Sequence, residues 1–378
     1  MRSVLFPAFA LFFAAVLGLV LANGPLAPAI FTLRDSYIGP DWLHLSVGHW
    51  VTDGLLAIFF FLAALELKHE LRHGELDSAR KALVPAVAAV GGVLVPAAIF
   101  LLLVPDPGLS RGWPIPTATD IAFALGVLAL VGRALPPCVR ALLLALAVID
   151  DLIAILIIAF VFPGELRPLA LIAAVPLVLL FGWLSYRLRG RRVVGAAMVV
   201  LAVGTWLLVS ISGVHPTIAG VALGLIYSSV AGEKVRYALE PWSNTIVLPL
   251  FAFVATLVVI PDLSATPLGP VFWAILLALP VGKIVGILGG ALVAGALDRR
   301  EGSDRVPVGD LVVVAALGGI GFTVSLLMNE LAFADDREVA TEGTLGVLAA
   351  SLIAAIIGGT IGALRSRWYG KREADLAG

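Results

Sequence analysis

Apolar runs long enough to span a bilayer recur about twelve times along the 378 residues, and no other feature limits the fold so severely. A helix rises ~1.5 Å per residue, so ~17–25 residues cross the hydrocarbon core. The runs lie at about 5–22, 50–67, 83–104, 116–132, 139–162, 168–187, 193–211, 213–230, 242–260, 269–294, 309–333 and 343–365. Composition points the same way. The chain is 60% hydrophobic and 13% charged, with mean hydropathy +1.05, where soluble domains hold about 45–50% and about 25%. The expected fold is all-α and polytopic, about twelve transmembrane helices in one integral membrane domain over 1–378. The longest non-apolar stretches, 23–48 and 66–82, are too short to bury a core of their own. The first run ends in "VLAN", which could pass for a cleavage site. It exceeds the ~7–15 residues of a signal-peptide core and is read as a retained helix.

Basic residues orient this chain. Numbering the loops alternately, twenty of the 25 Lys and Arg fall on one side, among them Lys68, Arg72, Arg133, Arg236, Arg300 and Arg365. Only Arg34, Arg111, Arg167 and Arg337 fall on the other, and Lys283 lies within a span. Both termini are therefore expected in the cytoplasm. Net charge −1 speaks against a nucleic-acid partner. The single cysteine, Cys138, excludes an intrachain disulfide and a cysteine metal cage.

Four charges sit well inside spans: Asp120, Asp150, Asp151 and Lys283. An aspartate at the bilayer centre costs ~2.5–3.5 kcal/mol on insertion scales, so such residues need partners or a function. Lys283 has two readings, snorkelling to the interface or pairing at depth. The short aspartates cannot snorkel. Neighbours on a helix point about 100° apart, so Asp150 and Asp151 cannot share one role. The economical reading gives one of the two Lys283 as its counter-charge and faces the other to a water-filled cavity, where a carboxylate binds a small cation or a proton.

Two spans carry signs of interruption. Span four begins "WPIPTATDIAFALG", placing Thr117, Thr119 and Asp120 after two prolines. Span eleven holds Gly318, Gly319 and Gly321 in "AALGGIGFTVSLL". The glycines alone could be packing notches. Paired with the proline-broken span, they suggest two interrupted helices in comparable positions, with spans three to five (about 83–162) and ten to twelve (about 269–365) as halves of opposite topology. Interrupted helices leave partial charges at depth, which Asp120 near N-termini and Lys283 near C-termini would neutralise.

These stretches resemble the NhaA-type sodium/proton antiporters. The likeness rests on "TATDIAFALGVLALVG", "LALAVIDDLIAI", "SGVHPTIAGVALG", "LPLFAF", "GKIVGI", "GGIGFTVSLL" and "AIFFFLAALELKHELRHGEL", in order along essentially the whole chain. That family is itself a known example of inverted repeats, so the symmetry reading is not independent of it. The resemblance implies that Asp151 is a direct ligand of the transported Na⁺, while Asp150 pairs with Lys283 and releases it as ions exchange. It implies that Asp120 and Thr119 neutralise and line the break, and that His215 takes part in a pH response; otherwise His215 is a turn residue. No cofactor is implied, only Na⁺, Li⁺ and H⁺ as substrates and the lipid bilayer as surroundings; a homodimer is compatible with it.

Glu66, His69, Glu70 and His73 recur at one-face helical spacing. They read either as a solvated helix end or, following the resemblance for Glu66 and Glu70, as a cytoplasmic entrance where His69 sets part of a pH threshold. The chain also departs from the family. Val254, Ala255, Thr256 and Leu257 follow "LPLFAF" where relatives show Ala-Asn-Ala-Gly, and Arg236 and Glu240 replace a common acid and histidine.

The expected function is electrogenic, pH-regulated Na⁺/H⁺ antiport in a bacterial cytoplasmic membrane, with roles in sodium and pH homeostasis, by a transporter and not an enzyme. An intramembrane aspartyl protease would instead need two aspartates on facing helices sharing a proton. A proton-coupled carrier of an organic solute would need a basic or aromatic binding cluster, which the sequence lacks.

Overall fold

The computed structural model describes residues 5–39, 45–74, 76–187, 192–261, 267–297 and 306–377. Among these residues every regular element is helical, with one isolated β-bridge between Tyr37 and Ser46. Among the described residues nine helices are long and apolar enough to cross a membrane: Leu5–Ala22, Val47–His73, Arg80–Leu103, Pro137–Val161, Pro168–Arg187, Val193–Ile211, Ser229–Ala255, Pro270–Ala296 and Arg337–Arg372. Two bent pairs qualify when each is taken together, giving up to eleven. They are Pro107–Thr117 with Ile121–Val131, and Val308–Gly318 with Phe322–Ala332. Thr217–Ile226 is apolar but only ten residues long. Of the residues that orient the chain, Arg2, Arg189, Arg191, Arg299, Arg300 and Arg305 lie outside the described residues.

Local chemistry sets these limits. The Ser78 hydroxyl accepts the Lys81 N–H at 3.4 Å and opens the helix Ala79–Leu103. Asp106 accepts the Gly108 N–H at 2.7 Å, with Pro107 at the first helical position, where a missing N–H costs nothing. Pro280 donates no backbone hydrogen bond, and around it the helix loosens into a π-turn, Ala278–Gly282, immediately before Lys283. Outward faces stay apolar: Leu102, Leu169 and Val193 are each more than 80% exposed, a costly surface in water and an ordinary one in lipid.

The chain divides into two compact units, Met1–Phe13 with Glu75–Ala154 and Val258–Gly378, and Ala14–Gly74 with Ile155–Leu257. In the first, Ala79–Leu103 and Lys283–Leu297 meet along glycines. A Cβ on Gly91 would fall onto the Gly286 carbonyl, and one on Gly286 onto the Gly91 carbonyl. Apolar surface gives helices little reason to associate in lipid, so backbone proximity and packing must hold this seam. The seam positions Lys283, one helical turn before Gly286.

In the second unit Thr217–Ile226 lies close to Leu56–His73. A Cβ on Gly220 would strike the Ala57 carbonyl, and Lys68 Nζ donates to the Leu225 and Tyr227 carbonyls at 2.7 and 2.6 Å. Trp206 stacks on Trp50 with ring centroids 5.5 Å apart and donates its indole N–H to the Asp53 carbonyl at 3.0 Å. An amphipathic ring thereby satisfies its polar edge while burying its body.

Candidate functional site

The two bent pairs turn by 43° and 44° at breaks of a few residues, and the breaks adjoin within the first unit. The Asp120 N–H donates to the Ile320 carbonyl at 2.6 Å, tying one break to the other through backbone. The Asp120 side chain then serves two helix starts. Oδ1 accepts the Phe123 N–H at 2.9 Å; Oδ2 accepts the Thr323 N–H at 3.2 Å and its hydroxyl at 2.7 Å. A helix N-terminus carries roughly half a positive charge, so one buried carboxylate answers two of them. A single cap of this kind is worth about 1 kcal/mol.

The glycines of the second break have ordinary right-handed backbone, with φ of −75° at Gly319 and −90° at Gly321. Their requirement is space. A Cβ on Gly321 would fall onto Ser325 Oγ, and one on Gly318 would stand 2.6 Å from the Ile287 side chain.

Beside the breaks, Lys283 Nζ donates to Asp150 Oδ2 at 2.5 Å, with the two side chains 0% and 1% exposed. Lys283 is therefore not at an interface. Holding both ions in such surroundings costs several kcal/mol each, which only close geometry and further hydrogen bonds offset. Thr119 supplies one. Its hydroxyl lies 2.6 Å from Asp150 Oδ2 and 2.7 Å from the Gly318 carbonyl oxygen; having one hydrogen, it donates to one of them at a time. Asp150 Oδ1 is buried and accepts no hydrogen bond among the described residues. Asp151, the next residue of the same helix, is also buried.

Asp120, Thr119, Asp150, Asp151, Lys283 and the Gly318–Gly321 break thus fall in one unit. Glu66, His69, Glu70 and His215 fall in the other, at two separate places. Glu66 pairs with Arg236 at 3.5 Å, and His69 Nδ1 lies 2.9 Å from Glu233 Oε1. Glu70 is buried, and its carboxylate packs over Gly74 at the end of its own helix. His215 forms a turn before Thr217–Ile226, with Nδ1 2.7 Å from Thr217 Oγ1 and Nε2 3.6 Å from Asp53 Oδ1. Thr256, in the stretch that departs from the family, is fully buried and places its hydroxyl 3.0 Å from the Ala15 carbonyl and 2.7 Å from that of Ala252. It joins two helices rather than lining the carboxylate site.

Sequence reasoning missed three supports of the site. Thr323 shares the Asp120 carboxylate, and the Ser351 hydroxyl accepts the Phe322 N–H at 3.1 Å. Asp120 and Ser351 thus accept the first N–H groups of the helix after the second break, and a short polar residue two places after Gly321 was a visible signal for Thr323. Asp310 is fully buried and accepts Arg365 Nε and the Tyr369 hydroxyl, each at 2.7 Å, fastening the start of Val308–Gly318. Its place at the margin of an apolar run hid it.

Buried carboxylates and a buried lysine at helix breaks, in a chain made of apolar spans, are the arrangement that marks an ion pathway through a membrane. Residues 1–361 match the family described as Na⁺/H⁺ antiporter 1. The chain is 53% identical to Na(+)/H(+) antiporter NhaA 2 of Clavibacter michiganensis subsp. michiganensis, over 97% of this chain and 91% of that protein. It is 44% identical to Na(+)/H(+) antiporter NhaA of Thermobifida fusca, over 98% and 94%. Its fold is similar to that of the sodium proton antiporter MjNhaP1 from Methanocaldococcus jannaschii, with TM-score 0.57 and 16% identity over 94% and 91% of the two chains. The chain belongs to the Na⁺/H⁺ antiporter 1 family.

Proposed function

We propose that this chain exchanges Na⁺, and Li⁺ with it, for protons across a bacterial cytoplasmic membrane, with both termini in the cytoplasm. Counting each bent pair and the ten-residue helix Thr217–Ile226 as one crossing gives twelve spans. The bent pairs are then the interrupted helices of two inverted repeats, about 83–162 and 269–365.

One observation carries the reading: Asp150 Oδ2 is held by Lys283 and approached by Thr119, while Oδ1 has no donor among the described residues and Asp151 stands next in the chain. Na⁺ is a hard cation that takes oxygen ligands, and protons compete for the same carboxylate oxygens. A protonated pair cannot hold Na⁺, and a Na⁺-bound pair cannot keep its protons. Exclusion of one by the other is exchange. Asp151 serves as the direct Na⁺ ligand; Asp150 alternates between Lys283 and the incoming ion. Na⁺ entry takes one proton from Asp151 and a second from the Lys283 ammonium that Asp150 releases; two protons for one Na⁺ moves net charge, so the exchange is electrogenic. In proteoliposomes, an imposed proton gradient should collapse on addition of Na⁺ or Li⁺ and persist with K⁺. Collapse with K⁺ to the same extent, or no response to any cation, would refute the assignment.

Regulation by pH is proposed to reside in the second unit. The candidates there are His215 and the helix end bearing Glu66, His69 and Glu70. His215 faces Asp53 and Thr217, so its protonated form makes an ion pair that its neutral form lacks. If that pair holds the low-pH, inactive form, His215→Gln should move the onset of exchange to lower pH while leaving the maximal rate within about twofold. Superimposable pH–activity curves would reduce His215 to a turn residue.

A further inference from the structure

We propose that His69, His73 and Glu233 form a binding site for a transition-metal ion of the Zn²⁺ type, joining the end of helix Val47–His73 to helix Ser229–Trp242. His69 and His73 are four residues apart and share a helix face, with ring centroids 5.8 Å apart. Glu233 comes from the other helix, and the ligand atoms of all three lie within 4.8 Å of one another. A tetrahedral ion with bonds of ~2.0–2.2 Å needs its ligands about 3.3 Å apart. The side chains of His69 and Glu233 are 30% and 47% exposed, so rotation about their own bonds closes the difference. The helices beneath them are already tied together: Lys68 holds the Leu225 and Tyr227 carbonyls, and Arg72 Nη1 donates to Ser229 Oγ at 2.6 Å.

The stretch His69 to His73 reads H-E-L-R-H, the spacing that puts two imidazoles on one ion from a single helix. In hydrolytic sites of that pattern the intervening glutamate is the general base. Here Glu70 is 7% exposed and packs over Gly74. Ligands are present without the base, so the site binds and does not hydrolyse. Surrounding charge narrows the occupant. Lys68 and Arg236 line the same pocket, and they oppose any cation held by Coulomb attraction alone. Hard ions such as Na⁺ or Mg²⁺ are thereby disfavoured, whereas Zn²⁺, Ni²⁺ and Cu²⁺ gain from nitrogen donors. This site shares no residue with the buried carboxylates; its one overlap with the proposed function is His69, on the helix end named above for pH regulation.

The test is calorimetric titration of tag-free, full-length protein in detergent with Zn²⁺, repeated with Co²⁺ to read its visible absorption. One Zn²⁺ per chain is expected, with affinity on the order of micromolar or tighter. The Co²⁺ spectrum should be that of a low-coordinate nitrogen–oxygen site, and excess Mg²⁺ should not displace the ion. Outer partners of metal ligands are already worth ~10–100-fold in affinity, so His73→Ala and Glu233→Gln should each cost at least ~10-fold. His49→Gln, in the same unit and outside the cluster, should change nothing. No saturable Zn²⁺ binding by the wild type, or equal affinity in wild type and His73→Ala, overturns the proposal.

Discussion

Asp151→Asn is expected to reduce Na⁺-driven proton movement to background while the protein remains inserted and folded. The substitution nearly preserves shape and removes both the charge and the titratable proton. An amide oxygen can still face Na⁺ but without the carboxylate's full charge, so Na⁺ binding weakens from this loss alone. Loss of the proton on the direct ligand also removes the competition between H⁺ and Na⁺ at that oxygen, so Na⁺ entry no longer expels a proton from it. The measurement is dye-monitored proton flux in proteoliposomes against Na⁺ concentration, with monodispersity and helical content as controls on folding. Exchange near the wild-type rate by well-folded protein would remove Asp151 from the ion site.

Lys283→Ala should damage stability more than cation selectivity. Asp150 would lose the ammonium at 2.5 Å and stay fully buried. Breaking a buried pair costs about 3–5 kcal/mol unless the remaining group neutralises itself. Asp150→Asn in the same molecule should therefore recover much of the loss. Recovery will be partial, since the lysine stem also fills space beside Gly92, where an added Cβ would stand 3.6 Å from Lys283 Cδ. Thermal unfolding in detergent reads the effect. An equal fall in melting temperature with and without Asp150→Asn would show that the two charges do not depend on each other.

The apolar spans were legible because a helix must cover a known thickness of lipid, and length alone reports that. Asp120, Asp150, Asp151 and Lys283 were legible because ionised groups in such runs are expensive and so stand out. Which aspartate meets Lys283 was not readable from apolar context, since adjacent residues have equal claims until the neighbouring helices are in place. The resemblance pointed to Asp150, the residue that the Lys283 ammonium touches in the structure. Thr323, Ser351 and Asp310 stayed hidden because hydroxyls and terminal acids are common in helices, and only tertiary contacts reveal their partners. Helical spacing put His69 and Glu70 on neighbouring positions of one face. It could not show that Glu70 folds back over Gly74 while His69 reaches Glu233 on another helix.

The Thr119 hydroxyl has one hydrogen and two oxygens within reach. Its choice is exclusive. While Asp150 is ionised, the carboxylate is the stronger acceptor and the Gly318 carbonyl goes without that donor. Once Asp150 carries its own proton, it can donate to Thr119 and leave the hydroxyl's hydrogen to Gly318. The carbonyl end of Val308–Gly318 would then register a change of charge on a carboxylate of another helix, through a rotation of one C–O bond. In such an arrangement a side chain with no charge of its own would convert a protonation event into a change in backbone hydrogen bonding, as a single-pole relay does.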